Sequence, residues 1–475
     1  MDYLKNKKLF SFCLDGKNIW ENEYEMQTKT ENDSVTTIYY FKGGLKVTNI
    51  LKKYDKFGAY EWVNYFENTS DKDTGVISEL WDCDCSFPIE HEEPKKFEAY
   101  FPEIKTATKV YAPSGSTWST DEFYCDVDKL VGNTRIHHIY PGIKKHYSAS
   151  GGRSSENNAP FFNIHKNGRG YIFAIGWTGQ WNCEIERAED EITFKSKIED
   201  TYFKMLPGEK FRTSSVVFMP YEGDVIDSQN KWRRLVKEHF SLIGKDGRGD
   251  FAPLCAGIWG GMNEKSVLER IEKIKENSFK FEYIWMDAGW YGEDTAPSPD
   301  EFEGDWGEHT GDWRPSRVIF PNGLKSVSDA IHNAGMKFLL WFEPERVVRN
   351  TPMVLSHPEF FIESSFETDN NYLLDLGNPE AWDYCFNTLS DMIAEYGIDC
   401  YRQDFNFSPL ETWRKKDTED RRGITEIKHI NGMYRLWDSL LEKFPHLIID
   451  NCASGGRRID IETLRRSVPL WRSDY

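Results

Sequence analysis

The sequence predicts a multidomain chain, an all-β sandwich followed by a (β/α)8 TIM-type barrel, and three observations predict it. Up to about residue 240 the apolar residues come in short alternating runs, such as Thr36-Thr-Ile-Tyr-Tyr-Phe41, Gly170-Tyr-Ile-Phe-Ala-Ile-Gly176 and Ser214-Ser-Val-Val-Phe-Met219, separated by Gly, Asn, Asp and Lys clusters. That is the period of half-buried antiparallel strands. Beyond Ile243-Gly-Lys-Asp-Gly-Arg-Gly-Asp250, a glycine-rich charged stretch that reads as a boundary, strand-like and helix-like segments alternate. The polar residues that do not suit a core gather at the ends of those strands, where a (β/α)8 barrel carries its chemistry. The expected division is 1–245 for the β domain and 246–475 for the catalytic barrel, each long enough to bury a full core.

Taken in order, the first thirteen residues carry lysines but too short an apolar run before Asp15 and Gly16 for a secretory signal. His137 and His138 are adjacent in a strand pattern and so face opposite ways, which does not make a metal pair. Gly176-Trp-Thr-Gly-Gln-Trp181 sits at a strand end and reads either as a sugar-facing rim or as an interface plug. Residues 227–240 turn helical, with Trp232, Leu235, Val236 and Phe240 on one side. Six strand segments follow, at 253–259, 281–287, 336–345, 401–407, 445–452 and 468–474. Helical segments at 266–277, 325–333, 379–396, 431–444 and 459–466 supply crossovers long enough for parallel pairing. Roughly 225 residues for six strands fall short of the about 250 of a complete barrel. The expectation is a truncated barrel, either an excerpt of a longer polypeptide or one closed by something else.

Composition narrows the function. A net charge of -19 argues against nucleic acid or an anionic membrane as partner, and no apolar run approaches the roughly 18 residues of a membrane span. Aromatic residues make up 15% of the chain, 17 of them Trp, and flat apolar rings suit the apolar faces of sugars. The nine cysteines are scattered, and only Cys83 and Cys85 lie close, at the wrong spacing for zinc. Free thiols in a reducing, cytoplasmic compartment are the expectation.

The chemistry centres on Gly397-Ile-Asp-Cys-Tyr-Arg-Gln-Asp-Phe-Asn-Phe407. A buried parallel strand is apolar almost throughout, so Arg402, Asp404 and Asn406, at period two, mark one unusual face. A plain Arg402–Asp404 salt bridge would explain them too. A second strand-end carboxylate, Asp474, favours chemistry: two carboxylates across a sugar-sized space are what glycoside hydrolysis requires, although aldolases, isomerases and metal hydrolases also use such pairs. Arg402 would keep Asp404 ionised, as a nucleophile needs, whereas Arg472 would oppose the resting protonation that an acid at Asp474 needs. Other residues have plainer readings. Trp259, Trp285 and Trp290 read as barrel core and rim, Glu345 as part of a loop salt bridge, and the charged run 414–422 as a solvated loop or an aglycone contact. Asp450-Asn451, without nearby histidines, does not suggest a metal.

Seven motifs then carry a resemblance. Asp287-Ala-Gly-Trp-Tyr291, Gly311-Asp-Trp313, Trp341-Phe-Glu-Pro-Glu345, Leu374-Asp-Leu-Gly-Asn-Pro379, Arg402-Gln-Asp404, Cys452-Ala-Ser-Gly-Gly456 and Trp471-Arg-Ser-Asp474 resemble, in order and spacing, those of the α-galactosidases of glycoside hydrolase family 36. The resemblance implies an N-terminal β-supersandwich, a catalytic barrel and a small C-terminal β domain, the last absent from this chain. It implies Asp404 as nucleophile and Asp474 as general acid/base of a retaining double displacement, with no metal and no organic cofactor. It also implies Asp287, Trp313, Trp341, Arg402, Asn406, Cys452, Gly455 and Arg472 as substrate-binding positions, an oligosaccharide or glycoconjugate substrate and a homo-oligomer. Four departures from the family pattern stand out. Ala288 stands where a second aspartate is usual, Arg402 where a lysine is usual, Asp369 or Asn370 where an arginine is usual, and Arg472 where a smaller residue is usual. N-acetylgalactosamine, or transfer of the galactosyl group to another sugar, therefore stays open beside galactoside hydrolysis, as does an inactive sugar-binding or assembly module.

Overall fold

The computed structural model describes residues 4, 7–90, 108–117, 136–139, 141–258, 263–293, 305–366 and 369–474. Trp259 and Tyr475 lie outside the described residues, as do the side chains of His137 and His138.

The amino-terminal part is two antiparallel sheets. The larger has nine strands, running in spatial order from Tyr24–Glu31 through Lys210–Glu222, Arg169–Gly176 and Phe161–Lys166 to Ile136–Ile139. The other, of eight strands, is built around Trp181–Arg187, Glu191–Ile198 and Ile77–Pro88. Alternation explains the pairing: in Glu191–Ile198 every second side chain is buried, so one face is free to meet the opposite sheet. Phe173 of one sheet lies flat against Phe194 of the other, ring centroids 3.9 Å apart, and Phe87 meets Phe218 at 4.5 Å. The expected helix follows as Val225–His239, capped by the Asp224 side chain, which accepts from Asp227 N at 2.8 Å.

The carboxyl-terminal part is an α/β layer. Five strands, Cys255–Ile258, Tyr283–Met286, Lys337–Phe342, Cys400–Gln403 and Ile448–Asn451, pair in chain order and all in parallel. Glu264–Glu276, Leu324–Asn333, Pro379–Tyr396 and Ile424–Lys443 are the crossover helices. Between the third and fourth strands lies a small antiparallel sheet of Arg346–Val348, Phe361–Glu363 and Asn371–Leu374.

The expected sixth strand is not a strand. Residues 468–474 touch the sheet through one isolated parallel bridge, Asp450 to Val468. Val468 N donates to Ile449 O at 2.8 Å; the next residue, Pro469, has no N–H to continue the ladder. Leu470 N donates instead to a side chain, Asp450 Oδ1, at 2.8 Å. The helix before it is also shorter than expected, Ile461–Leu464, opened by an Asp460 capping box.

Gly176-Trp-Thr-Gly-Gln-Trp181 is the plug of the two alternatives, with Trp177 and Trp181 both wholly buried. Trp177 Nε1 and Gln180 N both donate to Glu426 Oε1, each at 2.7 Å, and Thr178 N donates to the Tyr434 hydroxyl at 3.0 Å. The β region is thereby seamed to the Ile424–Lys443 helix. The charged run is likewise only partly solvated. Arg414 pairs with Glu199 at 2.8 Å and Arg421 with Glu209 at 2.6 Å, while Arg421–Arg422 adds to the Tyr202–Phe203 strand. The eight cysteines among the described residues are all unpaired. No described helix is long and apolar enough to cross a membrane.

Candidate active site

Where the parallel strands end, a cavity of about 530 Å³ opens. Its walls are Trp285, Trp306, Trp341 and Trp471, with Gly257 and Ala288 as small positions and Asp287, Arg402, Asp404, Asn406 and Asp474 as polar ones. A larger open groove, about 720 Å³, runs along the outer face of the Glu264–Glu276 helix and is lined by none of the sequence candidates. Apolar walls with a few convergent polar groups make the first the candidate site.

Asp404 follows directly on the Cys400–Gln403 strand, and its own N donates to Phe342 O at 2.8 Å. The carboxylate is 8% exposed and fully engaged. Oδ1 accepts from Phe405 N (2.8 Å) and Ser454 N (3.1 Å); Oδ2 accepts from Asn406 Nδ2 (3.0 Å) and Trp341 Nε1 (3.2 Å). Burial pushes its pKa up, but the Arg402 charge and the N–H donors outweigh burial and hold it below the usual carboxylate range. Asn406 also ties Asp404 to its support: its backbone N donates to Glu343 Oε1 at 2.5 Å and its Oδ1 accepts from the Ser454 hydroxyl at 2.7 Å. Glu343 in turn pairs with Arg346 at 2.6 Å.

Arg402 does not ion-pair with Asp404. Its Nη1 donates to Asp450 Oδ2 at 2.5 Å, its Nε lies 3.5 Å from Asp287 Oδ2, and its guanidinium carbon sits 4.4 Å over the Trp285 ring. Asp287 accepts from Ala288 N (2.9 Å) and Trp285 Nε1 (2.8 Å); burial keeps its carboxyl raised despite Arg402.

Asp474 stands exposed at the cavity mouth. Trp471 Nε1 donates to its Oδ1 at 2.7 Å. Desolvation raises its pKa, the Trp471 hydrogen bond offsets part of that, and the Asp404 charge raises it further; Arg402 and Arg457 oppose. The expected antagonist, Arg472, is exposed and not part of the wall. A strand would put residues 472 and 474 on one face; here, without a ladder, Trp471 and Asp474, three apart, reach the cavity together.

Three further candidates stand behind the wall. Trp313 backs Trp341, ring centroids 6.2 Å apart, and also packs on Tyr291 at 5.0 Å. The Cys452 thiol is buried and accepts from Gly455 N at 3.3 Å. Gly455 has φ +82, and a Cβ there would come within 3.0 Å of Asp474 N, so glycine is what lets the Asp474 segment lie so close. Glu345, expected in a loop salt bridge, is buried among Arg458 (2.6 Å), His429 (2.8 Å) and Gln403 (2.7 Å); Arg458 and His429 hold its carboxyl down to about 2 against the effect of burial. Asp369 accepts from Asn371 N at 3.0 Å and does not line the cavity.

Sequence reasoning missed Trp306 and Trp471 as wall residues and Asp450 as the partner of Arg402. Trp306 sits in a polar loop with no periodicity to orient it. The spacing of Trp471 from Asp474 was a usable signal once the segment is taken as a turn. Among the described residues no group of three His, Cys, Asp or Glu is placed to hold a metal.

Residues 211–475 match the protein-family model described as Melibiase. Among curated proteins, the chain is 26% identical over 353 residues to alpha-galactosidase Mel36A of Lactobacillus acidophilus, covering 71% of this chain and 46% of that one. It is 25% identical over 354 residues to alpha-galactosidase AgaA of Geobacillus stearothermophilus, with the same coverage. The chain thus spans about half the length of the curated relatives it matches. Among solved structures, the α-galactosidase of Lactobacillus brevis superposes with TM-score 0.77 at 20% identity, over 99% of this chain and 62% of that one. A variant of the GH36 α-galactosidase AgaA in complex with stachyose gives 0.77 at 19% identity, over 99% and 65%. A further AgaA variant, in complex with raffinose, gives 0.76 at 20% identity over the same shares.

Proposed function

The chain belongs to the melibiase family, and on that premise we propose that it carries the catalytic carboxylates of a retaining α-galactosidase that releases terminal α-D-galactosyl groups from oligosaccharides. The observation that carries the proposal is the pairing of Asp404 and Asp474 in one tryptophan-walled cavity, in surroundings that shift their acidities in opposite directions. Carboxyl groups pushed apart in this way take the two different roles of a glycosidase pair.

In the first step an ionised Asp404 oxygen bonds to the anomeric carbon while the glycosidic oxygen leaves with the proton of Asp474. In the second, the Asp474 carboxylate removes a proton from water, the water oxygen bonds to the anomeric carbon, and Asp404 departs as carboxylate. Two inversions give net retention. Asp287, Arg402, Asn406 and Trp341 line the space for the sugar, with Trp313, Cys452 and Gly455 supporting the wall from behind. Relatives in solved complexes hold stachyose and raffinose, which makes α-galactosyl oligosaccharides the first substrates to try.

The proposal extends to architecture. The five parallel strands and their crossover helices support part of a (β/α)8 barrel over 246–475, after a β-supersandwich over 1–245, in a cytoplasmic homo-oligomer. Ala288 on the cavity wall favours one second reading, N-acetylgalactosamine or another substituted galactoside, because an apolar methyl there cannot accept a hydrogen bond from a sugar hydroxyl.

The test compares hydrolysis of an aryl α-galactoside and an aryl α-N-acetylgalactosaminide by wild type and by Asp404→Asn. The expected outcome is a fall in kcat of roughly 10⁴-fold or more on the preferred glycoside, the order seen when a catalytic nucleophile is removed. Equal rates for the two proteins would sink the proposal, and the ratio of the two glycosides decides the sugar.

A further inference from the structure

The two carboxylates reach the cavity on unlike supports, one at the end of a paired strand and the other on a segment past the last rung of the sheet. Asp450 touches both supports. It sits wholly buried in the Ile448–Asn451 strand, one strand over from Arg402. Its Oδ2 accepts from Arg402 Nη1 at 2.5 Å, and its Oδ1 accepts from Leu470 N at 2.8 Å. Arg402 is two residues before Asp404; Leu470 is four before Asp474. Pro469, which cannot donate a backbone hydrogen bond, makes that side-chain contact the last tie between the segment and the sheet before Trp471. A second path runs beside it: Arg402 lies 4.4 Å over Trp285, Trp285 meets Trp471 edge-on at 6.0 Å, and Trp471 Nε1 donates to Asp474.

We infer that Asp450 is a positioning residue that fixes the spacing of the two cavity carboxylates, one oxygen holding Arg402 beside Asp404 and the other holding the segment that presents Asp474. The inference rests on the proposed hydrolase reading for its kinetic consequences, while its structural half stands apart from any activity. A carboxylate is suited to both duties at once, since it offers two acceptor oxygens and a charge to match a guanidinium. An asparagine has the same shape, but its amide N–H groups would face either Arg402 or Leu470 N, donor against donor.

The test uses Asp450→Asn and Asp450→Glu in the full chain. For Asp450→Asn the expected kcat on the aryl glycoside falls about 100-fold, the order expected when reacting groups shift by about an ångström. The acid limb of the kcat/KM profile separates positioning from simple damage. The charged groups facing Asp404 are Arg402 and Arg346 on one side and Asp287, Asp450, Glu343 and Asp474 on the other. If Arg402 stayed in place, deleting the Asp450 charge would stabilise the Asp404 carboxylate and move the limb to lower pH. With Arg402 released, Asp404 loses its cation and the limb moves to higher pH, which is the expected result. Asp450→Glu, which keeps the charge, is expected to retain at least about tenfold more rate than Asp450→Asn.

Hydrogen exchange gives a readout that needs no turnover. In Asp450→Asn the amides of residues 470–474 are expected to exchange roughly tenfold faster, with the Arg169–Gly176 strand unchanged. Asparagine keeps one acceptor oxygen and can satisfy one of the two donors, so unchanged exchange at 470–474 together with an acid limb that stays put or moves down overturns the inference, as does loss of protection in both segments together. A wild type that hydrolyses neither glycoside sinks the hydrolase reading and leaves the exchange result to decide the role of Asp450.

Discussion

The cavity and the seam behind it both bury carboxylates, and they hold them in opposite ways. In the seam, Glu426 accepts from Trp177 Nε1 and Gln180 N, and burial raises its pKa to about 8; Arg414 opposes without reversing this. Asp82 and Asp460, also buried and held mainly by hydroxyl and amide donors, are raised to about 7 and about 6. In the cavity Asp404 is just as enclosed, yet its pKa is lowered. The difference is a nearby guanidinium added to its four donors, since neutral donors alone rarely repay the desolvation of a charge. One cation does not serve every neighbour: Asp287 and Asp450 contact Arg402 directly and still sit raised, because burial outweighs their share of its charge. The comparison sets Asp404, whose pKa is lowered, apart from Asp474 and the seam carboxylate, whose pKa values are raised.

Two substitutions sharpen the cavity side. Asp474→Asn removes the proposed proton donor while leaving the proposed nucleophile, Asp404. The expected loss is about 10²- to 10⁴-fold on an oligosaccharide with a poor leaving group and much less on an activated aryl glycoside, which departs without a proton. Comparable losses on both substrates would remove Asp474 from the acid role. A smaller effect is expected of Asn406→Ala, which deletes one donor to Asp404 Oδ2 and the acceptor of the Ser454 hydroxyl. A net hydrogen bond to a charged group is worth about 1.5–3 kcal/mol, so kcat is expected to fall by about 10- to 150-fold and the acid limb of kcat/KM to rise. A limb that moves down would contradict the account of why Asp404 is ionised.

Much of the front of the molecule was legible because strand chemistry is local. Arg402, Asp404 and Asn406 advertise one face at period two, and the strand-then-helix grammar from residue 255 onward follows from hydrophobic spacing alone. What was not legible depended on partners distant in sequence. Arg402 at a strand end suggested Asp404, two residues away; its partner is Asp450, a neighbour only once parallel register aligns the two strands. The 468–474 segment reads as a strand by composition, but a single proline after the first rung turns it into an irregular arm, and that reverses which residue, 471 or 472, accompanies Asp474. Gly176-Trp-Thr-Gly-Gln-Trp181 looked as suitable for a sugar as for a core, since an indole serves either. Only the Glu426 carboxylate waiting behind it decides between them.

Glu426 offers the smallest and cleanest break in the comparison, because its effect is on stability and its sign follows from linkage. Its folded pKa of about 8 lies above the ordinary 4.5, so between those values the folded state binds a proton that the unfolded state releases. Stability contributed by this group is therefore full below about pH 4.5 and declines as pH rises towards 8. Glu426→Gln keeps an acceptor for Trp177 Nε1 and Gln180 N and cannot ionise. Gly179 leaves room for it, since a Cβ there would fall 2.2 Å from Glu426 Oε1. Near pH 5 the two proteins are expected to melt together; by pH 8 the glutamine variant is expected to melt a few degrees higher. Asp82 and Asp460 tilt both melting curves alike, so the difference between the curves isolates Glu426. Parallel curves from pH 5 to 8 would mean that the seam carboxylate is ionised after all, and that neutral donors suffice where the comparison says a cation is needed.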